Sequence, residues 1–195
     1  MKFFFGLLAF IAAVVVVILL VLSLFRGLES QNGETGSLVT SSYSLDDKSA
    51  VDSVVRYTIS GPIVAEENYR QVRITISKNV RTVEVIKGYK GTVDKTSTLP
   101  NTPEAYTAFL GALRAAKFAN KRDTRDTDLS SICVTGNKYF FDLALNGEKK
   151  IDTWSTSCSA KNGTFAGNKE GTAQLFRNQV PTYQETINGV NLSTL

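Results

Sequence analysis

From Phe3 to Phe25 the chain reads FFFGLLAFIAAVVVVILLVLSLF, with no charged side chain and Ser23 as its only hydroxyl. A helix rises about 1.5 Å per residue, so roughly 20 apolar residues cross a hydrocarbon core about 30 Å thick. The stretch meets that length. A charge at the centre of such a helix costs about 2.5–3.5 kcal/mol on the insertion scale, and none is present. The competing reading is a cleavable signal peptide, whose apolar core runs only about 7–15 residues and ends at a small-residue cleavage site. Here the run ends in Leu24-Phe25-Arg26-Gly27, and no cysteine stands near it to take a lipid. The sequence therefore predicts an uncleaved transmembrane signal-anchor over residues 1–26, with the lipid bilayer as partner of residues 3–25.

Orientation follows from the flanks. Lys2 and Arg26 nearly balance under the positive-inside rule. The two-residue N-terminal flank stays inside easily while a long C-terminal domain is exported. The expectation is a single-pass protein of the cell membrane, N-terminus cytoplasmic and domain extracytoplasmic. Ala9 and Ala13 are spaced for small-residue helix packing, a spacing common in membrane helices at large.

Residues 27–50, GLESQNGETGSLVTSSYSLDDKSA, are dominated by Gly, Ser, Thr and charges and read as a flexible linker. The remaining residues, 51–195, make one ordinary domain. Period-two alternation opens it. Val55, Tyr57 and Ile59 share a face in residues 54–60, which Gly61-Pro62 ends. Val72, Ile74 and Ile76 share a face in residues 69–77, and Lys78-Asn79 offers a turn into residues 80–87 with Val83 and Val85. Gly88 to Gly91 leads to a short extended piece, Thr92 to Asp94. The period then changes. Thr102 suits a helix N-cap, Pro103 the first helical position and Glu104 the positive end of the dipole. Tyr106, Phe109, Leu110, Leu113 and Phe118 follow on one apolar face. Tyr139 to Leu145 predicts a buried strand, Asn146-Gly147 a hairpin turn, and Lys150 to Ser155 its partner. Thr172 to Val180 predicts a short helix stopped by Pro181, with a loose end from Asn188. The fold class expected is α+β: an antiparallel β-meander sheet packed by one main amphipathic helix and a short C-terminal helix, preceded by one transmembrane helix.

Cys133 and Cys158 flank this later hairpin at similar distances from its turn, so pairing of the strands brings the thiols together. A disulfide is expected if the domain is exported. C-x-x-C spacing is absent, which argues against a redox role.

Composition removes several chemistries. The chain has 0 histidines, which excludes Ser-His-Asp and Cys-His pairs and imidazole-held zinc. The Gly-x-x-Gly at 88–91 and the glycines at 163 and 167 lack a phosphate-loop ending. Asp123, Asp126 and Asp128 are interleaved with Lys121, Arg122 and Arg125 and lack an EF-hand pattern, so a solvated loop is expected. Glu66-Glu67 and the other carboxylates read as surface charge. No catalytic residue, cofactor or metal is expected. The 22 Lys+Arg against 18 Asp+Glu become 20 against 18 once Lys2 and Arg26 are set aside, which makes nucleic acid a poor partner. The meander offers one local basic patch. Arg73 and Arg81 make it if they share the exposed sheet face, and Arg70, of opposite parity to Arg73, joins only from a strand end or past a bulge. Such a patch would meet an anionic partner, an envelope protein or an acidic polymer.

An apolar N-terminal helix followed by a sheet domain with a late disulfide resembles the type IV pilins. The pilin cleavage pattern, a Gly followed by an aromatic residue and a nearby Glu, is not matched, since Leu7 follows Gly6 and no Glu precedes Glu29. The meander-then-helix order is also loosely similar to small extracytoplasmic protease inhibitors. The expected role is a membrane-anchored extracytoplasmic binding or interaction module, not an enzyme. The alternatives are a structural, pilin-like envelope component and a hydrolase using carboxylates or a Ser/Lys pair.

Overall fold

Strands with one apolar and one polar edge fold only when register puts every apolar edge on the same side. The computed structural model describes residues 38–40, 43–46, 48–124, 129–159 and 162–192. The described residues belong to one compact unit. In chain order its elements are β1 (Leu38–Thr40), a 3-10 turn (Lys48–Asp52), β2 (Val54–Ser60), β3 (Arg70–Ile76), β4 (Val80–Lys87), β5 (Thr92–Pro100), α1 (Pro103–Ala115), β6 (Asn120–Arg122), β7 (Lys138–Leu145), β8 (Glu148–Thr156), α2 (Lys169–Asn178) and α3 (Tyr183–Thr186). Six strands form one sheet in the order β5-β4-β3-β2-β7-β8, and β1 pairs with β6 in a second, two-stranded sheet. All pairings are antiparallel. The α+β class with an antiparallel sheet thus stands.

The β2–β5 meander is the one read from alternation, but β5 continues to Pro100 instead of stopping at Asp94. It gains a full partner in β4, down to Val80 opposite Pro100, after a register shift beside Ile86. The β7–β8 hairpin adds to the other edge of β2, around Asn146 and Gly147, both at positive φ (52° and 81°) as a type I′ turn requires.

One face of the sheet carries Val55, Tyr57, Val72, Ile74, Ile76, Val83, Val85, Phe141, Leu143 and Ile151, all buried. The apolar face of α1 and Ala173 and Phe176 of α2 join them in one core. Phe141 lies at its centre, stacked on Phe165 at 4.1 Å and on Tyr57 at 5.4 Å, with Phe118 edge-on at 6.4 Å.

Helix α1 begins as expected, with the Thr102 hydroxyl accepting from the Ala105 N–H at 3.2 Å. It ends three residues short of Phe118. Lys117 takes the left-handed conformation (φ 58°), and the Lys117 and Phe118 N–H groups close back on the carbonyls of Arg114 and Leu113. That is a Schellman stop, and it drops Phe118 beside Leu113 in the core. Helix α2 starts earlier than expected because Asn168 caps it, accepting from the Gly171 N–H at 2.9 Å.

Three sequence expectations need correction or placement. The linker does not extend to residue 50: β1 pairs with β6, and Leu45 and Ala50 are core residues. Its polar composition concealed two apolar plugs, held where Ser53 bonds both the Ala50 carbonyl (2.7 Å) and the Tyr106 hydroxyl (2.9 Å). The end from Asn188 is not loose as far as it is described: Val190 and Leu192 pack on the core, and Lys95 Nζ donates to the Asn188 carbonyl at 2.7 Å. The expected membrane span, residues 3–25, lies outside the described residues. Among the described residues no helix is long and apolar enough to cross a membrane.

Phe165 was hidden in a Gly- and Asn-rich loop. It is fixed by its own N–H bonding the Trp154 carbonyl (2.9 Å) and by Arg122 gripping its carbonyl (2.6 and 3.1 Å). Phe165→Ala is expected to cost about 3–5 kcal/mol of unfolding free energy in urea, the range for a buried Phe. A loss below about 1 kcal/mol would mean that the ring is not part of the core.

Candidate functional site

The helices leave the other sheet face free, and register sets what it carries. Cross-strand partners in antiparallel sheets point the same way. One row across that face reads Thr96, Glu84, Arg73, Thr58, Phe140, Trp154, and the next reads Thr98, Thr82, Thr75, Arg56, Asp142, Asp152. Arg73 faces Glu84 directly (3.8 Å), and Arg56 faces Asp142 (3.2 Å). Burial raises the Asp142 pKa above the ordinary carboxylate value, and the nearby Arg56 and Lys149 offset it only in part.

The three arginines do not form one patch. Arg81 lies opposite Ile76, so it shares the core-side parity, whereas Arg73 opposite Glu84 is on the free face. Arg70, opposite Lys87, has the parity of Arg81 but stands at the other end of the hairpin. Arg81 donates to the Pro100 carbonyl (2.8 and 3.1 Å) and to the Gln179 carbonyl (3.0 Å), tying β5 and the end of α2 together. Arg70 donates to the carbonyls of Glu67 and Tyr69 (2.7 and 2.9 Å). The physical reason is that a guanidinium near a strand end finds carbonyl acceptors more readily than it pools charge with its like.

At one end the free face is not bare. Tyr69 and Ile86 are buried yet stand outside the main core. The Tyr69 ring stacks on Tyr89 at 4.0 Å. Tyr89 pins the 61–69 loop: its hydroxyl donates to the Val64 carbonyl (2.7 Å), and its N–H donates to the Glu66 carboxylate (3.0 Å). Glu66, read as surface charge, is thus a loop clasp. A second loop comes from the disulfide. Cys133 and Cys158 are bonded, with Cα atoms 5.6 Å apart. Gly136 sits against them, since a Cβ there would lie 2.5 Å from the Cys133 sulfur and 2.5 Å from the Ser157 hydroxyl. The Val134 carbonyl then accepts from the Ile63 N–H at 2.9 Å, joining the two loops.

Between them and the sheet lies a cleft of about 230 Å³, lined by Ser60, Gly61, Ile63, Tyr69, Gln71, Tyr89, Leu129, Ser130, Lys138 and Phe140. Ser60 and Lys138 are directly opposed across β2 and β7. Lys138 is 6% exposed, and no carboxylate or carbonyl bonds its ammonium among the described residues. Burial pulls its pKa down. Sequence reasoning missed Lys138 because it opens a strand after a polar stretch and looks like any solvated lysine. The only available signal was its parity with Phe140 and Asp142, and that needs the fold. A larger hollow of about 630 Å³ is lined by the 61–69 loop together with Arg70, Gly189 and Asn191.

Among the described residues no group of three or more potential metal ligands occurs. Asp126 and Asp128 fall outside the described residues. Neither protein-family models nor curated proteins match the chain.

Two outcomes are expected. Replacing Cys133 and Cys158 together by Ser should lower the unfolding free energy by about 3 kcal/mol in the chain-entropy account, read from urea denaturation. Asp142 carries a folded pKa above its unfolded one, so its stabilising contribution is full below the unfolded value and is lost as pH rises through the folded one. The stability of Asp142→Asn relative to the parent should therefore increase as pH rises above the ordinary carboxylate range. A flat or falling difference would contradict the burial argument.

Proposed function

We propose that this chain is a membrane-anchored, extracytoplasmic binding module, not an enzyme, whose recognition surface is the helix-free end of the sheet around the Lys138 cleft. One observation carries the reading. The exposed large apolar residues described are Ile63, Tyr89, Val93 and Val134, between 41 and 50% exposed. Ile63 and Tyr89 line the cleft, Val134 is bonded through its carbonyl to Ile63, and Val93 stands opposite Ile86 on the neighbouring strand. Solvent-exposed apolar side chains gathered around a cleft, instead of scattered singly, are the mark of a contact surface. The uncharged Phe3–Phe25 stretch supports the anchor, and the disulfide supports an oxidising compartment. An acidic polymer met by Arg70, Arg73 and Arg81 has less support, since these point to different places.

A second reading, a Ser/Lys hydrolase, has one observation in its favour: Ser60 opposes a lysine whose pKa burial lowers. Against it, the Ser60 hydroxyl is bonded to Tyr69 at 2.7 Å and not to Lys138.

The test uses the full-length chain in detergent micelles, followed by amide NMR. Small aromatic fragments of negative, neutral and positive charge should saturably shift the amides of Gly61, Ile63, Tyr89 and Lys138. The double change Ile63→Ser and Val134→Ser should leave stability within about 0.5 kcal/mol, as for exposed positions, and weaken that response. Shifts scattered over the surface would sink the binding surface. Covalent labelling of Ser60 by a fluorophosphonate would favour the hydrolase.

A further inference from the structure

We propose that the Lys138 cleft binds a small organic monocarboxylate whose apolar body lies along Ile63, Tyr89 and Phe140. The inference rests on the binding-module reading and adds the class of ligand.

The argument starts from the hydrogen-bond directions. Gln71 Nε2 donates to the Tyr69 hydroxyl oxygen at 2.8 Å. With that oxygen already accepting, the arrangement that also gives the Tyr69 proton an acceptor has it donating to the Ser60 oxygen at 2.7 Å, a bond in which either hydroxyl can be the donor. The Ser60 proton is left with the Gly61 carbonyl at 3.4 Å, a poor bond. Directly across the β2–β7 ladder is Lys138, more than nine-tenths buried and without a partner among the described residues. Directly opposed residues place their Cβ atoms about 4.5–5.5 Å apart. The cleft therefore presents a cation and an under-used hydroxyl side by side, with no carboxylate among its described lining residues. The Lys138 stem is buried while its ammonium opens into the cleft, and an anion seated there would form charge-assisted bonds with it.

Charge and shape select the anion. One ammonium and one hydroxyl match a single negative charge. A phosphate dianion would be left half compensated and lacks the guanidinium fork that usually holds it. The walls beyond the polar pair are Ile63, Phe140 and the Tyr89 ring, which suit an aromatic or branched hydrocarbon. The volume of about 230 Å³ admits a small molecule and not a folded partner.

The experiment titrates the full-length chain with benzoate, benzamide, benzylammonium and inorganic phosphate, reading amide shifts at Ser60 and Lys138. Benzoate should bind roughly tenfold more tightly than benzamide, and phosphate and benzylammonium more weakly still. Lys138→Met should erase the preference for benzoate over benzamide without lowering the thermal midpoint, and Lys138→Arg should keep it. Should Lys138→Met fail to fold, Ser60→Ala serves in its place, with a weakened benzoate response and an unchanged benzamide one. Benzamide binding as well as benzoate, or phosphate binding better, overturns the carboxylate and leaves the binding surface standing. A cleft that responds to none of the probes overturns both.

Discussion

The register of β2 between β3 and β7 is the constraint on which the rest depends. Tyr57 lies opposite Ile74 on one side and Phe141 on the other, and Arg56 lies opposite Thr75 and Asp142. A slip by one residue at either edge would exchange those rows and bury a guanidinium in place of a ring. The core aromatic set locks the register from one side. Tyr57 touches both Phe141 and Phe176, and Phe176 touches Phe109 and Phe118. The Arg56–Asp142 and Arg73–Glu84 pairs mark it from the other, adding specificity more than energy because each arginine is over a third exposed.

A sheet covered on one face only must account for its second face. Here most of that face is Thr and paired charges, which water tolerates. One end departs from that rule. Two loops, one clasped by Tyr89 and Glu66 and the other closed by the disulfide, meet here, and Tyr69 and Ile86 are buried outside the main core. The same two loops enclose Lys138. There the polar face becomes aromatic and buried, around a lysine that has no carboxylate beside it among the described lining residues. The disulfide's contribution is local as well as global, since it sets the loop whose Val134 carbonyl holds Ile63.

Much of the framework was legible because it rests on local rules. The alternation around Val72, Ile74 and Ile76, the Thr102-Pro103 helix start and the Asn146-Gly147 turn each act within a few residues. The Cys133–Cys158 pair followed from the turn. Phe165, Leu45 and Ala50 were not legible, since single apolar residues in polar stretches have no period to betray them. The arginine patch failed for a different reason. Parity within one strand is visible in sequence, but whether Arg73 and Arg81 agree depends on the hairpin register, and Ile76 opposite Arg81 decided against it.

The sequence by itself determined the uncharged N-terminal stretch, the strands and main helix of an α+β domain, the cysteine pair and the absence of imidazole chemistry. These follow from composition and from periods of two and 3.6, which steric geometry imposes on any chain. Tertiary structure alone decided that β7 joins β2, that Ser60 therefore faces Lys138, and that two loops distant in sequence close over them. Cross-strand pairing is a long-range choice among rival registers, settled by which arrangement buries the most apolar surface without stranding a charge. At Lys138 that settlement placed a charge with no counter-charge among the described residues, and this is where the candidate site lies.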